Sequence, residues 1–131
     1  MSTRSSELVR AFEARDLDPV AFGHGDHVAV AYEMLRKYDF LNALVNYSKS
    51  LDAIATRAGA PDKFNTTITV AFMGLIAERM SSSHCTGYED FISQNEDLLS
   101  KDLLAKWYSP ERLKSDLSRK TFLLPDAANG T

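Results

Sequence analysis

One cysteine, four prolines and six glycines in 131 residues leave this chain little to cross-link or bend with. A lone Cys85 allows no internal disulfide, which fits a reducing compartment. The longest nearly apolar run, Ile68 to Ala77, is far short of the roughly 20 residues a bilayer span needs. The opening Met-Ser-Thr-Arg-Ser-Ser-Glu-Leu carries no apolar stretch of the kind a signal peptide has. Together these absences predict a cytoplasmic protein with no membrane partner. Positive charge is also missing: 15 Lys and Arg stand against 18 Asp and Glu, a net charge of -3. No basic cluster is long enough to track a phosphate backbone, so nucleic acid is excluded as a partner. Neither a Walker loop nor a dinucleotide fingerprint occurs. With no repeat, linker or low-complexity tract, residues 1–131 read as a single domain, with about 1–7 and 126–131 expected to be disordered and Leu8, Ala11 and Phe12 offering a short amphipathic turn.

Strand alternation is nearly absent as well, and what replaces it is helical spacing. Val28, Ala31, Met34, Leu35 and Tyr38 recur at three and four, behind Asp26 read as the N-cap. Phe40 through Ala58 keeps the same period until Gly59-Ala-Pro61 stops it. A third helix, starting near Asp62 to Thr66, carries Ile68, Phe72, Leu75 and Ile76 and is apolar on most sides, which predicts a central position. Shorter helices are expected over Tyr88 to Ile92 and Leu98 to Trp107, and Ser109-Pro110 opens a last one. The sum is an all-α, single-domain bundle of five or six helices with short connections.

Chemistry concentrates in Phe22-Gly-His-Gly-Asp-His27. Gly23 and Gly25 flank His24 and predict a tight turn there. His27 falls in the first turn of the following helix, beside its buried stripe. The positive end of a helix disfavours imidazolium, so a neutral ring is expected. A neutral imidazole is what a general base, a metal ligand or an uncharged donor requires. His24 and His27 are therefore the candidate catalytic residues and the candidate ligands of a divalent transition metal. Asp26 serves either as helix cap or as the carboxylate that orients an imidazole. Asn65, Thr69 and Phe72 share one face of the third helix, so Asn65 and Thr69 can border the same pocket if the two helix starts meet; simple N-capping is the competing role of Asn65.

These residues resemble a family of small, functionally uncharacterised bacterial all-helical proteins that open with Phe-x-His-x-Asp-His before a helix. The likeness extends through Ala60-Pro-Asp-Lys-Phe64, Ile68-Thr-Val-Ala-Phe72, Asn95-Glu-Asp-Leu-Leu99 and Tyr108-Ser-Pro-Glu-Arg-Leu113. Where that pattern has Lys-Tyr-His-x-Thr-x-Thr, this chain has Lys63-Phe-Asn-Thr-Thr-Ile-Thr69. The resemblance implies no activity. It does imply that a three-imidazole metal site would here keep two histidines and a weak amide at Asn65.

Other features read as structural. His84-Cys85 lies in a Ser-rich loop, where adjacent side chains rarely face each other. Trp107-Tyr108 reads as packing, and the acidic residues from Glu89 to Asp102 as a solvated face. Two functions stay open: a histidine-centred pocket for a small polar ligand or for catalysis at one end of the bundle, and a non-enzymatic helical interaction module or homodimer in which the histidines are structural.

Overall fold

A computed structural model describes residues 3–17, 22–100 and 102–126. Among them no strand occurs; seven α-helices and three short 3-10 turns form an all-α bundle, and five of the helices have seven residues or more.

The amphipathic turn expected at Leu8, Ala11 and Phe12 belongs to a longer helix. Helix α1 spans Thr3–Glu13, and its Val9 and Phe12 are buried. An amphipathic segment too short to be stable alone becomes helical once its apolar face is covered. Helix α2, His24–Lys37, is the most enclosed element, with Val28, Ala29, Val30, Ala31, Tyr32 and Met34 all buried. Burial of five consecutive residues means contact on every side. That explains the brief apolar alternation of Val28 to Tyr32, and it moves the centre of the bundle from the third helix to α2.

Helix α3, Phe40–Arg57, begins with the Asp39 carboxylate accepting the Asn42 N–H. It ends as the sequence predicts. Gly59 takes φ +76, the Gly59 N–H reaches the Thr56 carbonyl and the Ala60 N–H the Ala55 carbonyl, a paired closure that a Cβ-bearing residue would strain. A 3-10 turn at Pro61–Lys63 then leads into α4, Thr66–Ser81. Its all-round apolar character has a cause: Met73 and Ile76 enter the core, while Ile68 and Phe72 line a cleft.

Helix α5 covers Tyr88–Gln94. The helix expected over Leu98 to Trp107 is absent; 3-10 turns at Glu96–Leu99 and Leu103–Lys106 take its place. Between them the Ser100 hydroxyl accepts the Asp102 N–H, a local bond that competes with helix continuation. The last helix is two, α6 (Pro110–Lys114) and α7 (Asp116–Lys120). Ser115 divides them by donating back to the Arg112 carbonyl and accepting the Ser118 N–H. The segment after α7 is fastened to α4: the Thr67 hydroxyl donates to the Thr121 carbonyl and accepts the Leu123 N–H. Asp126, expected to begin a frayed tail, accepts both the N–H and the hydroxyl of Ser109; residues 127–131 lie outside the described residues.

Candidate functional site

The starts of α2 and α4 lie at the same end of the bundle, beside the last three turns of α3. Together they enclose a cleft of about 630 Å³. His24, His27, Asn65 and Thr69 all line it; Asp26 does not. The structure thus gathers four of the five expected site residues in one place.

The N-terminal turn of α2 differs from the sequence reading in register. Helix geometry begins at His24, so His24 is the first helical residue rather than part of a separate turn, and Gly23 is the N-cap with φ -88 and ψ 177. Those angles are open to any residue. Asp26, read as the N-cap, stands three positions further in, where its carboxylate accepts the Gly23 N–H at 3.1 Å. The carboxylate reaches back to close the helix start from inside, as the acid of a capping box does.

This register aims the two imidazoles differently. His24 donates from Nε2 to the Leu98 carbonyl at 3.0 Å, and its ring lies 5.8 Å from that of Phe72. It forms a partition between the main cleft and a smaller one of about 320 Å³ under Leu103, Leu104 and Tyr108. His27 packs 4.2 Å from the Phe22 ring, with Nδ1 3.2 Å from the Tyr47 hydroxyl. Tyr47 is fully buried, so burial holds its phenol above the ordinary value. A buried phenol keeps its proton and needs an acceptor. Nδ1 is the acceptor that this contact offers, and with the phenol donating to it the His27 proton sits on Nε2, which makes no hydrogen bond among the described residues.

The ring is neutral, as expected, but chiefly for another reason. Burial lowers the His27 pKa to about 4; the neighbouring His24 lowers it further, and Asp26 opposes both. The unfolded chain, with an ordinary imidazole near 6.5, takes up this proton across a window in which the folded chain does not. Stability is therefore fully present above about pH 6.5 and falls as the pH is lowered through 4, by about 3 kcal/mol in total. Urea titrations at pH 7, 6 and 5 should show that slope, and the paired variant His27→Phe/Tyr47→Phe should lose that part of it. An unchanged slope in the pair would assign the acid sensitivity to the carboxylates.

Asn65 lines the cleft but its amide is already committed. Oδ1 accepts the Ile68 N–H at 2.9 Å and the Ser118 hydroxyl at 3.0 Å, and Nδ2 donates to the Leu113 carbonyl at 2.8 Å. Both lone pairs of the oxygen are used. Asn65 is the N-cap of α4 and the anchor of α6 and α7, so the capping role is present, and one Nδ2 hydrogen is left over from these bonds. Thr69 is buried and its hydroxyl donates to the Asn65 carbonyl.

A divalent metal does not fit this donor set. His24 Nδ1 and His27 Nε2 are the two nitrogens left, and Asn65 has no lone pair to add. No group of three His, Cys, Asp or Glu side chains among the described residues could hold a metal ion, whereas a catalytic zinc takes three protein ligands.

What sequence reasoning missed is the rest of the lining. Tyr47, Leu51, Ile54, Ala55 and Ala58 fall on one face of α3 at helical spacing, and Lys63 follows on the 3-10 turn. Their periodicity was visible as an amphipathic stripe; that its last three turns border a cleft as well as the core was not. His84 is exposed and Cys85 half-buried, and no helix of the described residues is long and apolar enough to cross a membrane. Compared with models of known protein families, with curated proteins and with solved structures, the chain matches none.

Proposed function

We propose that the cleft at the α2–α4 end binds a small, largely apolar organic molecule, with an oxygen of that molecule accepting a hydrogen bond from His27 Nε2. One observation carries this reading: an imidazole kept neutral by burial, its Nδ1 on the hydroxyl of a buried tyrosine, lines an open cleft walled by Leu51, Ile54, Ile68 and Phe72. Apolar walls with a few placed polar groups are the usual composition of a ligand site. The low basicity of His27 favours binding over proton abstraction, because a general base works best with a pKa near the working pH. As a donor the neutral ring can hold or polarise a carbonyl. A cytoplasmic setting belongs to the same reading, in keeping with the single half-buried thiol of Cys85.

The test uses nitrogen-15 spectra of the histidine rings together with a panel of small ketones, esters and acids. His27 is expected as the Nε2–H tautomer down to about pH 5, with its signals displaced by members of the panel. His27→Phe keeps the ring packed on Phe22 and should weaken that binding at least tenfold, while stranding the Tyr47 hydroxyl at a cost of about 1–3 kcal/mol. Adding Tyr47→Phe removes the stranded group and should restore most of the stability without restoring binding. Recovery of binding in the double variant, or a His27 ring protonated on Nδ1, would overturn the reading.

A self-association surface is the second reading, favoured by Leu41 and Val45, one turn apart on α3 and 70% and 48% exposed. Light scattering decides it: a dimer that survives dilution and is lost in Leu41→Glu supports this surface, and a monomer at all concentrations rejects it.

A further inference from the structure

The cleft has a direction. Tyr47 and Ala58 mark the two ends of its α3 wall, and eleven residues of helix separate them by about 16 Å. At the Tyr47 end sits the His27 donor. At the other end the paired closure at Gly59 turns the chain back, so that the 3-10 turn at Pro61–Lys63 brings Lys63 to the cleft. Between these ends the wall is Leu51, Ile54 and Ala55, faced by Ile68 and Phe72 of α4.

Charge in the lining has one sign. Lys63 is its one Lys or Arg, and no Asp or Glu lines it among the described residues, in a chain where acidic residues outnumber basic ones. Lys63 is exposed and forms no ion pair with a described residue. An ammonium at the mouth of an apolar channel is complementary to an anion whose remaining length is hydrocarbon.

We propose that the occupant is an elongated aliphatic carboxylic acid, its carboxylate on Lys63 and its chain lying along α3 toward His27. This rests on the reading of the cleft as a small-molecule site, and adds the class of molecule and its orientation. Lys63 selects the charge, the α3 and α4 walls select an unbranched apolar chain, and His27 meets the far end, where an oxygen on the chain would be held.

Calorimetric titration of the full chain with sodium hexanoate, octanoate and decanoate, and with 1-octanol, tests it. Affinity for the acids should rise about fourfold for each added methylene. Octanoate should bind at least tenfold tighter than 1-octanol. Lys63→Gln, an exposed substitution, should bring octanoate down to the level of 1-octanol and leave the alcohol unchanged, whereas Lys49→Gln on the outer surface should change neither. Equal binding of octanoate and 1-octanol, an unaffected octanoate affinity in Lys63→Gln, or an equal loss in Lys49→Gln would overturn the acid assignment while the cleft remains a binding site. No heat from any of the four, with no displacement of the His27 signals, would overturn both.

Discussion

Phe12→Ala is expected to lower folding stability by about 3–5 kcal/mol, the range for emptying an aromatic site in a core. Phe12 has no exposed surface, and its ring lies 5.6 Å from that of Phe22 and 5.2 Å from that of Tyr47. Those two rings do not belong to α1. The cavity would open beneath the floor of the cleft, between α1 and the residues that hold His27. Two consequences are measurable. Urea denaturation should show the loss directly, and the melting temperature should fall by more than about 10 °C at this chain length. The His27 ring signals should also shift or broaden, since Tyr47 would lose its neighbour on one side. A loss below about 1 kcal/mol would mean that α1 is not docked on the bundle in solution.

Asn65→Ala should cost about 2–4 kcal/mol, through two separable effects. Removing the N-cap of α4 accounts for about 1 kcal/mol. The remainder comes from groups on the far side of the bond: the Leu113 carbonyl and the Ser118 hydroxyl lose their partner, and a buried polar group without a partner costs about 1–3 kcal/mol. Ser118 is fully buried, so water does not replace the lost bond there. Asn65→Asp keeps an oxygen for the Ile68 N–H and for Ser118 but sets a carboxylate against the Leu113 carbonyl; it should recover the capping part alone. Hydrogen exchange locates the effect, with amides of α6 and α7 losing protection in Asn65→Ala before those of α2 and α3. Full protection of α6 and α7 in that variant would show that Asn65 does not anchor them. Asn65→His should behave like Asn65→Ala in this chain, because an imidazole cannot supply the two-acceptor oxygen and the donor that the site uses.

These two residues show where the sequence is informative about the site and where it is not. Asn65 carries the signal of a helix start and also lines the pocket, and both were legible as alternatives. The bonds that add an anchoring role to the cap run to Leu113 and Ser118, which are 48 and 53 positions away. Asp26 is similar on a smaller scale. Its capping chemistry was legible, but the register was not: the helix begins three residues earlier and the same carboxylate closes it from the third helical position.

The sequence by itself determined the elements with strong local chemistry. Apolar residues at three and four made α2, α3 and α4; the Gly59-Ala-Pro61 stop and the Ser109-Pro110 start set boundaries that hold to within a residue or so. Such signals act within one or two turns, through backbone angles and the nearest hydrogen bonds, so they survive whatever the rest of the chain does. Tertiary structure decided the rest. It made α1 helical by covering Phe12, broke the expected Leu98 to Trp107 helix into turns, and placed Tyr47 on His27 across 20 residues and Leu98 on His24 across 74. It also keeps His27 neutral, because burial is the largest cause of its lowered pKa. Desolvation and side-chain pairing depend on which surfaces meet, and a pattern of residue types along one helix does not say which of its faces meets core and which meets a cleft.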